Sequence, residues 1–191
     1  MPPRTDPNPA FLANADLPRI TLGTGRWGGT EVGTHFDFFG SQCEGKDLAN
    51  VAGPSDRKHR AYLLQEDAAA PQTFGVDEYI LTFPDRGSAD QLVKDVSGSL
   101  DGCDKAMLTA KVDKTDNISA KGAGGKDITG RTWVITQQVN QTTKQRYRIA
   151  LAQVDNSVIY LLVPTGESFD FNNGQWRAVG ERAGARLSST L

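Results

Sequence analysis

Residues 131–164 read RTWVITQQVNQTTKQRYRIALAQVDNSVIYLLVP and contain three apolar-rich runs. The runs cover residues 131–140, 145–154 and 157–164. A short polar connection separates the first two runs, and the tight Asp155-Asn156 turn separates the last two. Alternating apolar residues predict β-strands and short turns join antiparallel neighbours, so this stretch predicts an antiparallel meander. Residues 158–163 lack polar alternation, and we therefore expect the last run to be the central, most buried strand.

The middle run divides its side chains between two faces. Tyr147, Ile149 and Leu151 share one face, and Arg146 and Arg148 share the other. This division is typical of a sheet that packs a helix on one side and meets water on the opposite side. We therefore expect water on the face that carries the two arginines.

Two amphipathic helices are predicted outside the meander. Residues 78–83 alternate as a strand, and Ser88 then offers an N-cap for a helix that stops near Gly102. Asn172 or Asn173 offers the N-cap of a second helix near the end of the chain. The apolar stripe of the first helix comprises Ala89, Leu92, Val93, Val96 and Leu100, and that of the second comprises Trp176, Val179, Ala183 and Leu187. The predicted fold class is α+β, with both main helices packed on one face of the antiparallel sheet.

The domain organisation follows from length and composition. Four of the nine prolines lie in the first ten residues, so we interpret residues 1–10 as a Pro-rich linker and residues 11–191 as a single domain. With 21 basic and 23 acidic residues, the net charge of −2 gives no electrostatic case for nucleic acid as the main partner. No apolar run approaches the roughly 18 residues that span a bilayer, so a membrane would be reached only through an anchor upstream of residue 1.

The first 70 residues show no clean periodicity. Trp27 and the aromatic-rich residues 35–39 supply bulk, and residues 58–66 fit either a strand or a helix. We assign this part of the chain to packing across the end of the sheet.

The two cysteines, Cys43 and Cys103, could form a disulfide, remain as two free buried thiols, or supply half of a metal site. A zinc site needs about four ligands, whereas there is no Cys-x-x-Cys and only His35 and His59 could complete a site. We favour the disulfide, which would destabilise the unfolded chain by roughly 4 kcal/mol in the entropic model. Disulfides persist in oxidising compartments, so the pair predicts an extracytoplasmic location.

Catalytic chemistry has little support in the sequence. A nucleophilic Ser, Cys or Thr would need His35 or His59 as its base; His59 lies in the charged run 56–60, and His35 lies beside Phe36. No established catalytic or phosphate-binding motif occurs. We therefore predict no catalytic residue, no metal and no cofactor, and a cell-wall hydrolase remains only if a histidine meets a Ser, Asp or Glu in a cleft.

Aromatic and arginine side chains are the candidates for binding a small ligand. The candidate residues are Trp27, Phe36, Phe38, Trp133, Arg146, Arg148 and Trp176. The aromatic residues would line or support a cleft between the helices and the sheet or its aromatic N-terminal segment. The arginines could flank a small anionic ligand, although such side chains more often cover apolar surface or pair with neighbouring charges.

Short signals along most of the chain carry a family resemblance. They are Phe11-Leu12, Leu17-Pro18, Trp27, Cys43, Phe83, Ala89, Cys103, Trp133 and the closing amphipathic helix. The pattern resembles the PknH-type extracellular domain, an actinobacterial extracytoplasmic sensor domain found on receptor Ser/Thr kinases and as stand-alone lipoproteins. This resemblance implies a membrane tether upstream, a cleft for a small ligand and no catalytic residue. The mycobacterial members carry two disulfides, whereas Cys43 and Cys103 allow only one.

These observations lead to two functional hypotheses. The first is a non-enzymatic extracytoplasmic sensor or ligand-binding domain, either tethered to the cell surface or secreted, whose partner is a small ligand or a cell-envelope component. The second is a protein-interaction module of a cell-envelope complex that uses an exposed face or edge of the sheet. A deep pocket would favour the first, and an exposed apolar patch would favour the second.

Overall fold

The computed structural model describes residues 8–20, 25–72 and 74–191. The strands are β1 (Arg26–Gly29), β2 (Asp56–Gln65), β3 (Gly75–Thr82), β4 (Ala110–Lys121), β5 (Asp127–Gln138), β6 (Lys144–Val154) and β7 (Ser157–Thr165). The helices are α1 (Arg86–Asp101), α2 (Cys103–Ala106) and α3 (Asn173–Ser188), and two 3-10 turns lie at Asn14–Asp16 and Ala123–Gly125. The seven strands form one antiparallel sheet in the order β1-β2-β3-β7-β6-β5-β4.

The last strand of the chain lies in the middle of the sheet. The three apolar runs form β5, β6 and β7, and each pairs with the next. The other edge of β7 pairs with β3, which attaches β1, β2 and β3 to the rest of the sheet. The prediction of a central β7 is confirmed, and residues 157–163 are all buried. Residues 58–65, which fitted either a strand or a helix, belong to β2.

Each face of the sheet has its own hydrophobic cluster. On β6 and β7, Ala150, Ala152, Ile159, Leu161 and Val163 belong to one cluster, and Ile149, Leu151, Val158, Tyr160 and Leu162 belong to the other. The first cluster contains the stripe of α3, with Trp176, Val179, Ala183 and Leu187. The second contains the stripe of α1, with Ala89, Leu92, Val96 and Leu100. We refer to these two surfaces of the sheet as the α3 face and the α1 face.

The two main helices therefore lie on opposite faces, and the prediction that both pack on one face is wrong. The physical reason is that β6 and β7 carry apolar residues at both parities, so each face of the sheet needs a cover. Small residues hide this requirement in the sequence, because Ala150 and Ala152 alternate with Ile149 and Leu151. The glycines of α3 also allow the helix to approach the sheet closely. A Cβ atom on Gly180 would lie only 2.7 Å from Cδ1 of Ile118 on β4.

The helix starts are set by side-chain caps. Asp85, and not Ser88, is the N-cap of α1: its Oδ1 accepts a hydrogen bond of 2.8 Å from the Ser88 amide, and this bond lowers the pKa of Asp85. Asn172 caps α3 and accepts a hydrogen bond from the Gln175 amide, while the Gln175 side chain accepts one of 3.0 Å from the Asn172 amide. This reciprocal pair is a capping box.

The N-terminal segment, residues 8–20, packs on the α3 face. Phe11, Leu12, Leu17 and Ile20 are buried there. Residues 1–7 of the predicted Pro-rich linker, residues 1–10, lie outside the described residues, and Asn8 begins a turn that its carbonyl closes with the amide of Phe11. In the part of the chain that the structure describes, no helix has the length and apolar character needed to cross a membrane.

The disulfide-linked loop, residues 34–55, packs on the α1 face. Cys43 and Cys103 form a disulfide with a Cα–Cα distance of 5.4 Å, so the predicted bond is confirmed. The bond joins the loop to the start of α2, directly after α1. Arg57 of β2 holds the far part of the loop, because its guanidinium donates to the carbonyl oxygens of Leu48, Ala49 and Val51.

Candidate ligand-binding groove

An aromatic row runs across the α1 face, beneath the disulfide-linked loop. Phe36 and Phe38 extend from the loop and are half-buried against the sheet. The ring centroids of Phe36 and Phe38 lie 5.4 Å and 5.1 Å from that of Tyr79. The Phe38 ring also lies 5.8 Å from that of Tyr160, which is the register partner of Tyr79 on β7. The loop is thus anchored on the two central strands of the sheet.

The carboxyl group of Glu44 lies at one end of this row. Glu44 follows the disulfide cysteine and is only 2% exposed. Its Oε1 accepts three hydrogen bonds, from the Ser41 amide at 2.7 Å, the Ser41 hydroxyl at 2.8 Å and the Tyr160 hydroxyl at 2.5 Å. Every hydrogen bond of the Glu44 carboxyl group within the described residues is made by Oε1, and Oε2 accepts none. One oxygen of a nearly buried carboxyl group is therefore left without a partner.

A groove of about 460 Å³ opens beside Glu44. Its walls are Phe38, Phe39, Gly40, Gln42, Glu44, Gly45, Lys46 and Asp47. Phe39 lies at the rim and is 78% exposed. A Cβ atom on Gly40 would lie 2.6 Å from Oε2 of Glu44, so the glycine keeps this side of the carboxyl group open. We refer to this feature as the Glu44 groove.

The negative charge of Glu44 affects the tyrosines beneath it. Burial is the main cause of the raised pKa of Tyr160, and the charge of Glu44 raises it further. Burial followed by the same charge also raises the pKa of Tyr147, and for Tyr79 the charges of Asp77 and Glu44 both add to the effect of burial. The three phenols are therefore neutral near pH 7 and can act as hydrogen-bond donors.

The other charged groups of the groove are already engaged. Lys46 Nζ lies 3.8 Å from Asp95 Oδ2 on α1. Asp47 uses both carboxylate oxygens within its own turn, where Oδ1 accepts from the Ala49 amide and Oδ2 accepts from the Asn50 side chain. None of the ion pairs of the described residues includes Glu44, so its Oε2 is an unpaired polar atom of the groove lining.

A histidine and an aspartate lie at the opposite end of the aromatic row. Nε2 of His59 is 2.8 Å from Asp77 Oδ1, and the His59 ring stacks 4.7 Å from Tyr79. Asp77 can therefore orient the imidazole, as in a hydrolase. In the described ranges, however, no hydroxyl group is hydrogen-bonded to Nδ1 of His59, and no cluster of three His, Cys, Asp or Glu side chains is arranged around a metal position. Among the described residues, the pair is therefore not joined to a hydroxyl group that could act as a nucleophile.

A second buried carboxyl group, Glu78, lies on the α3 face and is fully buried. Its Oε2 accepts hydrogen bonds from the Leu12 amide at 3.1 Å and the Tyr62 hydroxyl at 2.7 Å. Its Oε1 is buried without a hydrogen-bond partner in the described structure. Burial raises the pKa of Glu78 to about 7. Because the N-terminal segment covers it, Glu78 does not line the Glu44 groove.

The predicted aromatic ligand-binding residues are divided between the two faces. Phe36 and Phe38 belong to the aromatic row, and Phe38 lines the Glu44 groove. Trp133 is buried on the α1 face, where its indole N–H donates to Asp101 Oδ1 at 2.8 Å. The structure does not bring Trp133 into the groove lining.

Trp27 and Trp176 lie on the α3 face. The Trp27 ring packs against Phe171 at a centroid distance of 6.0 Å, and its indole N–H donates to the Pro18 carbonyl. Trp176 is 1% exposed and stacks on the other side of the same cluster, 5.6 Å from Phe171. Both indole rings therefore pack in the hydrophobic cluster of the α3 face, away from the Glu44 groove.

Arg146 and Arg148 converge on Asp170 at the end of the α3 face. Arg148 Nε donates to Asp170 Oδ1 at 2.6 Å, and its Nη1 donates to Asn173 Oδ1 at 2.7 Å. Arg146 pairs with the same carboxylate and donates to Thr165 Oγ1. The prediction that this face meets water is wrong, because the chain that leads into α3 crosses it and leaves Arg148 only 8% exposed.

Sequence reasoning missed Glu44 and its tyrosine partner. A signal for each was present: Glu44 directly follows Cys43, so a disulfide carries it toward the core, and Tyr160 is the one hydroxyl within the apolar residues 158–163. A buried phenol needs a hydrogen-bond partner. The sequence could not show that these two residues meet, because 116 positions separate them.

Comparison with known proteins identifies the family. Residues 49–179 match the family model described as the PknH-like extracellular domain. The crystal structure of the extracellular domain of PknH from Mycobacterium tuberculosis is similar in fold, with a TM-score of 0.61 and 12% identity over 94% of this chain and 93% of that one. No curated protein sequence matches the chain. The Glu44 groove precedes the range of the family match. The resemblance and the predicted location are confirmed, and this extracytoplasmic chain belongs to the PknH-like extracellular domain family.

Proposed function

We propose that this chain is a non-enzymatic sensor domain that binds a small ligand in the Glu44 groove. The observation that carries the proposal is the unpartnered Oε2 of a carboxyl group that is 98% buried and lines a concave surface. Ligand sites are typically concave, with apolar walls and a few fixed polar groups. Among the described residues, Oε2 is not one of the fully buried polar atoms without a partner, so it is accessible from the groove, where a ligand donor can hydrogen-bond with it.

The surroundings of Glu44 favour a pre-formed site. The Cys43–Cys103 disulfide and the guanidinium of Arg57 hold the two parts of the loop, and Tyr160 fixes Glu44 from below. A site that is already ordered loses little conformational entropy when a ligand binds. The family supports a sensor role, and we further propose that a membrane anchor lies upstream of residue 1.

The proposal is tested by NMR titration of the isotopically labelled domain with cell-envelope fragments, small amines and small anions. Binding in the groove should shift the amide signals of Phe39, Gly40 and Gly45 before those of the α3 face. The matched variants are Gly40→Ala, which should block the groove, and Gly166→Ala, where an added Cβ meets no atom within 4 Å. Binding that survives Gly40→Ala, or shifts confined to the α3 face, would contradict the proposed site.

A protein-interaction module is the second candidate, because an apolar pair is exposed at one corner of the sheet. Leu108 is 93% exposed and Val139 is 64% exposed. The two lie close together, since the Gln138 amide donates to the Thr109 carbonyl. A photo-crosslinking amino acid placed at Leu108 or at Phe39 in the full-length protein in cells separates the candidates. A protein adduct formed only at Leu108 would favour the interaction module.

A further inference from the structure

We propose that the ligand of the Glu44 groove binds through a protonated amino group, with Oε2 of Glu44 as its counter-charge. This inference rests on the proposed function, since it names the chemical class of the ligand for the same site. An ammonium group carries three N–H donors and a positive charge. An ammonium group would donate the hydrogen bond that Oε2 lacks, and it would supply a positive counter-charge to the Glu44 carboxylate.

The first argument concerns uncompensated charge. Oε1 of Glu44 accepts three hydrogen bonds, two from Ser41 and one from Tyr160. No ion pair of the described residues reaches this carboxylate, and Glu44 is 2% exposed. A carboxylate that is largely withdrawn from water and has no counter-charge attracts an entering cation more strongly than an exposed carboxylate does.

The second argument concerns the groove walls. Phe38 and Phe39 provide aromatic rings beside Glu44, and a ring face attracts a cation. Phe39 is 78% exposed at the rim although large apolar side chains are normally buried. A wall that combines aromatic rings with a carboxylate is suited to an alkylammonium group, whose methylene groups contact the rings while its nitrogen contacts Oε2.

The groove has no free cation with which to bind an anion. Lys46, which lines the groove, lies 3.8 Å from Asp95 of α1, outside the lining, and Arg57 donates to backbone carbonyl groups of the loop. An anionic ligand would therefore meet the charge of Glu44 without compensation. A neutral polyol could donate a hydroxyl hydrogen to Oε2 but would leave the buried charge unpaired, so the comparison of an amine with its neutral analogue is decisive.

The test uses two matched pairs of probes in NMR titrations of the whole domain. The pairs are cadaverine with 1,5-pentanediol, and glucosamine with N-acetylglucosamine. In each pair the amine should bind at least about tenfold more tightly, because a hydrogen bond between charged partners is stronger than a neutral one. Equal affinities within both pairs, or no binding of either amine, would overturn the proposal.

Two variants assign the effect to Glu44. Glu44→Gln removes the charge at almost constant volume and should abolish the preference for the amines. Glu78→Gln makes the same change in the buried carboxyl group of the opposite face and should leave the preference intact. Gly40→Ala keeps the charge and should weaken both amines by covering Oε2, so it remains informative if Glu44→Gln does not fold.

The outcomes separate this inference from the proposed function. If a neutral or anionic compound shifts the Phe39 and Gly40 signals and the amines do not, the groove is a ligand site and the assigned class is wrong. If amines bind but shift only residues far from the groove, and Glu44→Gln binds them as tightly as the original domain, both the site and the class are wrong.

Discussion

The two buried glutamates, Glu44 and Glu78, occupy opposite faces of one sheet and differ chiefly in what covers them. Each accepts a hydrogen bond from a sheet tyrosine: Glu44 from Tyr160, and Glu78 from Tyr62. Glu44 lies under a disulfide-linked loop that leaves one oxygen facing a groove, whereas Glu78 is sealed beneath Leu12. Two carboxyl groups with the same type of partner can thus have different roles. Glu44 is placed to bind a ligand, whereas Glu78 makes the packing of the N-terminal segment depend on pH.

The largest expected effect comes from removing the disulfide over Glu44. The double substitution Cys43→Ala and Cys103→Ala should lower the free energy of unfolding by about 4 kcal/mol, because the bond closes a loop of 60 residues. Urea denaturation measures this change. Hydrogen exchange should then show loss of protection at the Ser41 amide, which donates to Glu44, with the Leu12 amide still protected. Equal loss at both amides would show that the two faces are not independent.

The ionisation of Glu78 should produce the second largest effect. Its pKa of about 7 in the folded chain lies above the ordinary value of 4.5, so the folded state binds the proton more tightly. The contribution of Glu78 to the free energy of unfolding should therefore be greatest below about pH 4.5, fall as the pH rises toward 7, and have lost on the order of 3 kcal/mol above that. Urea denaturation between pH 5 and 8 measures this slope.

Two variants test the assignment of that slope to Glu78. Glu78→Gln should flatten it, because the amide does not ionise. Tyr62→Phe should move the loss of stability to higher pH, since the Tyr62 hydrogen bond lowers the pKa of Glu78. An unchanged slope in Glu78→Gln would assign the pH dependence to other groups.

A smaller effect should distinguish the two tyrosine hydroxyls. Tyr160→Phe removes one of three donors to Glu44 Oε1. Tyr62→Phe removes a hydroxyl that can donate its one hydrogen to the Leu12 carbonyl while it accepts from protonated Glu78. We expect losses of about 1 kcal/mol for Tyr160→Phe and about 2 kcal/mol for Tyr62→Phe at pH 6. Thermal or urea unfolding measures both, and the reverse order would contradict this difference between the two hydroxyl groups.

The smallest effect concerns Lys46, the cation of the groove lining. Lys46→Met should increase the affinity of cadaverine by a factor of about 2 to 3, because it removes a partly screened like charge near the amine. NMR titration measures the change, and Lys126→Met, far from the groove on the hairpin between β4 and β5, is the control. Weaker binding of cadaverine in Lys46→Met would contradict the charge argument.

The sequence did not predict β1 and left β2 undecided between strand and helix, and it placed both main helices on one face, although they lie on opposite faces. The β5–β7 strands, the central position of β7 and the two main helices followed from local periodicity, which short segments encode. The side of the sheet that each helix covers did not follow, because small residues such as Ala150 look compatible with water yet pack under α3. The cysteine pair predicted both the bond and the compartment, since few alternatives fit two cysteines.

The candidate site was harder to predict because its parts are distant in the sequence. Phe38 was predicted from its aromatic character, and it lines the groove. Nothing in the local sequence distinguishes Glu44 from an exposed glutamate, because its partner Tyr160 is distant in the chain. Arg146 and Arg148 looked like ligand-binding cations, and only the fold shows that Asp170 pairs with both. Pairing of charges over long separations depends on topology, which composition and periodicity do not contain.

Because β7 is central in the sheet and last among the strands in the sequence, the sheet can be completed only after β7 has been synthesised. Strand β3 has no partner on its inner edge until residues 157–165 are available, and Tyr160 on the same strand is the support of Glu44. During synthesis the first hundred residues therefore emerge with the inner edge of β3 open, and before Cys103 is available to pair with Cys43. A chain of this design is suited to export before it folds, with oxidation of the cysteines following the arrival of its last strand.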